Sequence, residues 1–212
     1  MIGKLLAKHG IHVSKVRTMP LRKVALKKAI GFAAHFKNLP RGAVVECGVG
    51  KGISFIGLAY LAEQSDREIY GYDSFEGFPD PTPEDTSPRN PKKGEWRGTS
   101  KEDVIQYLKT ADFDEAWIDS DVHLIEGFFD TTLKHYDGGS IAFLHLDVDM
   151  YRSYKDCFKY LAPYVVKGGI ILFDEYNDPN WPGATQAIDE YLKETGRQLQ
   201  HDAFLNRYFV TV

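Results

Sequence analysis

Ala43-Val44-Val45-Glu46-Cys47 is a short, almost wholly apolar run that stops at Gly48-Val49-Gly50-Lys51-Gly52. A buried strand ending on alternating glycines must turn sharply, because glycine accepts positive φ angles that other residues resist. Ser54 to Gln64 then follows helical spacing, and Ile69-Tyr70-Gly71-Tyr72 reads as a second strand ending at Asp73. Strand, glycine loop, helix and strand in this order open a doubly wound, mostly parallel sheet of the α/β class. The rest of the chain continues the alternation. Val122 to Ile125, Ile141 to Val148, Ile170 to Phe173 and Tyr208 to Val212 read as further strands. Helices are expected at 20–37, from Ser100 to Leu108, after Tyr151 and around Ala184 to Leu192. Ser100 and Asp103 stand at the capping-box offset.

At 212 residues, 43% hydrophobic and 26% charged, the chain has enough apolar surface for one full core and is not disordered by composition. Two segments stand apart. Residues 1–28 hold eight basic residues and no acid, so the rest of the chain carries the negative charge. The segment 1–38 is expected to be a basic helical appendage, serving as a lid or an oligomer contact, with the main domain at 39–212. No aromatic interleaving accompanies the basic residues, which argues against a nucleic-acid partner. Residues 74–100 hold five of the ten prolines and no hydrophobic periodicity, the profile of a lid loop. No run is apolar enough to cross a membrane and no signal core is evident. Two cysteines, Cys47 and Cys157, make no disulfide framework. A cytoplasmic setting is expected.

The chemistry concentrates in two places. The glycine loop lets a ligand approach backbone closely, but Lys51 precedes glycine rather than Ser or Thr, so it is no phosphate-binding Walker loop. Ile53 stands where a dinucleotide loop needs its third glycine. A smaller nucleotide bearing a carboxylate, such as S-adenosylmethionine, suits it better. Asp73 follows at the end of the second strand, where an acid can accept from both ribose hydroxyls. The second place is acidic. His145, Asp147 and Asp149 alternate on one face of a strand, and Asp174 and Glu175 close the next. Carboxylates gathered at one sheet edge repel unless a cation neutralises them, and all-oxygen ligation suits Mg²⁺, Ca²⁺ or Mn²⁺. The bland alternatives are helix-capping acids, with Asp149 capping the helix at Tyr151, and a hydrogen-bonded core histidine at His145.

Val44 to Gly52 resembles the first motif of the macrocin O-methyltransferase family. Tyr72-Asp73-Ser74-Phe75-Glu76-Gly77-Phe78-Pro79, Ile125 to Leu133, His145 to Tyr151 and Ile171 to Tyr176 resemble its later motifs. The resemblance spans Pro40 to Tyr191. It implies a class I, seven-stranded methyltransferase fold, S-adenosylmethionine as cofactor and Mg²⁺ dependence. It implies Glu46, Gly48, Val49, Gly50, Ser54, Asp73, Ser74, Phe75, Glu126 and Gly127 around the cofactor, with Glu126-Gly127 near the adenine. It implies Asp147, Asp174 and Glu175 as metal ligands, the last being commonly a second aspartate in the family. Asp147 is then the expected general base, with His145 in reserve, and the partner a small-molecule hydroxyl acceptor, a sugar or diol. A homo-oligomer is possible on this reading. Two alternatives stay open. Asp147-x-Asp149 also matches the metal motif of nucleotide-sugar glycosyltransferases, and the fold serves non-catalytic binding proteins too.

Overall fold

A computed structural model describes residues 20–212. Its elements, in order, are α1 (Pro20–Phe36), β1 (Ala43–Cys47), α2 (Ile53–Gln64), β2 (Ile69–Asp73), α3 (Lys101–Thr110), α4 (Glu115–Asp121), β3 (Val122–Glu126), α5 (Phe129–Thr132), β4 (Ile141–Leu146), α6 (Tyr151–Tyr160), β5 (Val165–Phe173), α7 (Pro182–Thr195), β6 (Gln200–Asp202) and β7 (Arg207–Thr211). The strands form one seven-stranded sheet in the order β3-β2-β1-β4-β5-β7-β6. β3 through β5 run parallel, while β7 is antiparallel to both β5 and β6. The expected doubly wound, mostly parallel sheet is present. Between β1 and β4 the chain order reverses, and the carboxyl ends of those strands open the crevice where ligands bind in such sheets.

The central strands are apolar on both faces because helices cover both. Val44, Phe143 and Leu172 face one core with Leu26, Phe32, Phe55 and Leu58. Val45, Leu144 and Ile171 face the other with Tyr154, Cys157, Phe158 and Ile188. Helix α1 is therefore a layer of the core: Leu26, Ala29, Phe32 and Ala33 are all buried. Of the segment 1–38, expected to serve as a lid or an oligomer contact, this helix packs on the domain it was expected to flank and brings Lys28 to the cleft described below. The remainder of the basic arm, residues 1–19, lies outside the described residues. The C-terminal end of α1 is tied down, since His35 Nε2 donates to Asp202 Oδ2 at 2.8 Å.

Ser100 caps α3 as expected, its hydroxyl accepting from Asp103 N while the Asp103 carboxylate accepts from Ser100 N. Three short elements, α4, α5 and β6, were not foreseen, being too brief for periodicity to register. Strand β5 starts at Val165, ahead of the expected Ile170, and holds Gly168-Gly169 inside it. No described helix is long and apolar enough to cross a membrane.

Gly48 has φ +87 and sits so close to β4 that an added Cβ would overlap the Asp147 carbonyl. Gly50 has φ +51 with open space around it. Gly48→Ala is therefore expected to lose at least about 2 kcal/mol in chemical denaturation, and Gly50→Ala about 1 kcal/mol from backbone strain alone. His35 is held below its ordinary pKa by burial, against the pull of Asp202. The unfolded chain thus takes up the proton first as pH falls below 6.5, so acid costs stability at this site. His35→Gln should flatten the fall in stability between about pH 6.5 and 5, read by melts of both proteins across that window.

Candidate active site

At the carboxyl ends of β1, β2 and β4 lies a cleft of about 950 Å³. The glycine loop forms one wall. Gly48, Gly50 and Gly52 all have positive φ, and Gly50 N donates to Asp73 Oδ2 at 2.7 Å. Phe75 N donates to the other Asp73 oxygen at 2.7 Å, with Phe75 itself in the left-handed region at φ 52. Asp73 is thus fixed by two backbone donors while each oxygen keeps accepting capacity for a ligand. Gly48, Val49, Gly50, Ser54, Asp73, Ser74 and Phe75 all line the cleft, as the motif reading expects. Glu46, Glu126 and Gly127 do not. Glu46 is wholly buried behind the loop. Gly127 N is spent on the Asp73 carbonyl, and its neighbours Phe128 and Phe129 reach the cleft instead.

The acidic residues come together, but not as one set. Strand β4 ends at Leu146, and its ladder to β1 and β5 continues through Asp147 N to Cys47 O and Asp174 N to Leu146 O. Register places Glu46 opposite His145. His145 Nδ1 donates to Glu46 Oε1 at 2.8 Å, and its Nε2 lies 3.7 Å from Asp174 Oδ1. Asp174 in turn accepts a forked pair from Arg207, Nε to Oδ1 at 2.6 Å and Nη2 to Oδ2 at 2.8 Å. His145, Asp147 and Asp174 offer ligand atoms all within 4.8 Å of one another. Glu175 is buried beside that trio: its Oε2 accepts from Tyr154 Oη at 2.6 Å and Asp149 N at 3.2 Å, and its side chain is within hydrogen-bond reach of Asp147. Asp149 does not cap α6. It takes φ 60, lines the cleft, and leaves Tyr151 N to the buried Asp85 at 2.8 Å. His145 itself does not reach the cleft, while Asp147 does.

The electrostatics follow from burial and crowding. Burial alone would depress the His145 pKa, but the carboxylates of Asp174 and Glu46 beside it outweigh burial and raise the value to about 10. Asp147 is pushed up to about 6, first by burial and then by the Asp174 charge. Asp149 and Glu175 are raised by burial and by neighbouring carboxylates. Asp174 moves the other way despite burial, because His145 and Arg207 hold its charged form. Carboxylates outnumber cations here, and both Glu46 Oε2 and His145 Nε2 are buried without a hydrogen-bond partner. The crowded carboxylates fit a divalent cation.

The loop over the cleft is more ordered than its prolines suggest. Phe78 N donates to Glu95 O at 3.1 Å and Gly94 N to Phe78 O at 2.9 Å, closing it at its base. The Arg89 guanidinium sits 4.3 Å from the Trp181 ring and 4.7 Å from that of Trp96, and forks onto Glu95 at 3.0 and 3.1 Å. Arg89 is therefore a strut, whereas Arg97 lines the cleft. Sequence reasoning missed Trp96, which lines the cleft while 62% exposed, and Arg207. The one signal for Arg207 was a lone cation heading an otherwise apolar strand.

A family model described as macrocin-O-methyltransferase (TylF) matches residues 22–203. Demethyldecarbamoylnovobiocin O-methyltransferase of Streptomyces niveus is 32% identical over 162 residues, covering 73% of this chain and 59% of that protein. A Streptomyces olivaceus 4'-O-methyltransferase named for a dimethoxy-rhamnosyl tetracenomycin is 31% identical over 140 residues, 64% of this chain and 53% of that protein. The chain thus spans little more than half the length of these curated relatives. Among solved structures, the O-methyltransferase NovP superposes with a TM-score of 0.69 at 25% identity, covering 90% of this chain and 78% of that one. The calicheamicin methyltransferase CalS11 gives 0.72 at 22% identity, covering 99% and 90%, a likeness of fold.

Tyr154→Phe removes the hydroxyl that supports buried Glu175. It is expected to cost about 1 to 3 kcal/mol in denaturant unfolding, with the m-value unchanged if the fold is intact.

Proposed function

Because the chain belongs to the macrocin O-methyltransferase family, we propose that it transfers a methyl group from S-adenosylmethionine to one hydroxyl of a vicinal diol, with assistance from a divalent cation. The observation that carries this reading is the shared cleft: the glycine loop and Asp73 on one side, Asp147 on the other, with about 950 Å³ between them. That volume lies at the upper end of ordinary ligand pockets and is roomy enough for a cofactor and a small acceptor together. The names of the relatives support a sugar or sugar-bearing natural product as acceptor.

S-adenosylmethionine supplies an electrophilic methyl group, and a divalent cation supplies Lewis acidity that lowers the pKa of the acceptor hydroxyl. Everything else falls to the chain. Asp73 accepts from the ribose hydroxyls, and the 48–52 loop seats the cofactor's amino-acid end. Gly50 leaves its side of the cleft open, since a Cβ there would meet nothing within 4 Å. Ser54, Ser74 and Phe75 complete that wall. Asp147, Asp174 and Glu175 would hold the cation. Asp147 takes the proton of the reacting hydroxyl, being the member of the His145, Asp147 and Asp174 trio that lines the cleft. His145, with no access to the cleft, is not the base. Most of the acceleration comes from holding two reactants in line in a site screened from water by the 74–100 loop.

Calorimetric titration of S-adenosylmethionine and S-adenosylhomocysteine, with Mg²⁺ and then with EDTA, tests the cofactor. Saturable binding is expected. A folded sample that binds neither would overturn the reading. Asp147→Asn should keep cofactor binding but lower turnover of any diol acceptor by about 100-fold or more.

A further inference from the structure

Resting on the proposed methyl transfer, we infer that Trp96 is the platform on which the acceptor stacks, and that it selects acceptors whose methylated sugar is joined to a flat, electron-rich aromatic ring. Trp96 lines the cleft and is 62% exposed. Its backbone lies in the left-handed region at φ 68, a conformation that costs a bulky residue energy. The chain gives up stability to hold a large apolar ring out in water, the opposite of what folding alone would select.

The ring is also fixed. Phe78, Trp96 and Trp181 form three sides of a box around the Arg89 guanidinium, which lies 5.5, 4.7 and 4.3 Å from their centroids. Trp96 packs against Phe78 at 5.0 Å and Trp181 at 5.7 Å, and those two rings are buried. Of the three, Trp96 alone keeps an open surface. A platform immobilised before its ligand arrives loses little freedom on binding. The box stands on the acceptor side of the cleft. Trp181 follows Glu175 in the connection from β5 to α7, and Arg89 is near enough to Asp149 for its charge to act there. A sugar diol seated at Asp147 leaves the rest of the acceptor to extend toward the mouth, where Trp96 meets it.

The guanidinium decides what stacks best. A cation over an indole draws π density toward itself, so the open surface carries less negative potential than that of a free indole. Cationic ligands and the polarised C–H groups of a bare sugar both depend on that negative potential. An electron-rich aromatic ring does not, and it stacks offset on the depleted surface with the guanidinium behind to attract it. Arg97, the next residue, also lines the cleft and offers donors to oxygen substituents on such a ring.

The test titrates three β-D-glucosides, para-methoxyphenyl, para-nitrophenyl and methyl, into the full chain loaded with S-adenosylhomocysteine and Mg²⁺. The methoxyphenyl glucoside should bind at least about tenfold more tightly than the methyl glucoside, with the nitrophenyl glucoside between them. Trp96→Ala should fold, its side chain being mostly exposed, and should bind all three alike. Trp96→Phe should keep part of the preference. Equal affinities in the wild type, a preference that survives in folded Trp96→Ala, or tightest binding of the nitrophenyl glucoside would each overturn the proposal, as would binding of none of the three. S-adenosylhomocysteine binding is measured first in every sample. Its failure in folded wild type overturns the methyl-transfer reading itself, whereas cofactor binding without an aryl preference overturns this proposal alone.

Discussion

A row of alternating charges crosses the sheet on its α1-facing side: Glu46 on β1, His145 on β4, Asp174 at the end of β5 and Arg207 on β7. Glu46 and His145 are fully buried and Asp174 largely so, with Arg207 half-buried at the row's end, and burying an unpaired charge costs far more than any one packing contact returns. The row is tolerable because neighbouring strands place opposite signs side by side. It ties the loop after β1, the turn after β4 and the end of β5 to one another, and the first two of these line the cleft.

The same row explains why the acids around it do not behave alike. Asp174 stays ionised because it stands between two cations. For Asp147, Asp149 and Glu175, burial and mutual repulsion outweigh the cations nearby and raise all three. Proton and metal ion are competing answers to that surplus of negative charge.

Over the cleft, a different device orders the loop. Arg89 binds its own loop through Glu95 and stacks against Trp96 and Trp181, the latter heading α7. The cation–π contacts and the fork hold a proline-rich segment in place with little hydrophobic core of its own. This leaves Trp96 displayed at the mouth of the cleft rather than buried.

The sequence by itself determined the order of strands and helices, the glycine turn, the Ser100 cap and the place of Asp73 at the end of β2. These are local matters: backbone freedom at Gly48 and Gly50, hydrophobic period, and hydrogen bonds between residues a few positions apart. It also brought Asp147, Asp174 and Glu175 to one edge of the sheet. Only the tertiary structure decided which of them face one another. Side-chain direction beyond a strand's end depends on partners distant in the chain, such as Tyr154 for Glu175 and Arg207 for Asp174. Glu46, read as a cofactor contact, became the partner of His145 because the β1–β4 register sets the two side by side. Helix α1 became core for the same kind of reason: its apolar stripe meets Phe55 and Phe143 across the sheet, contacts that no local pattern specifies.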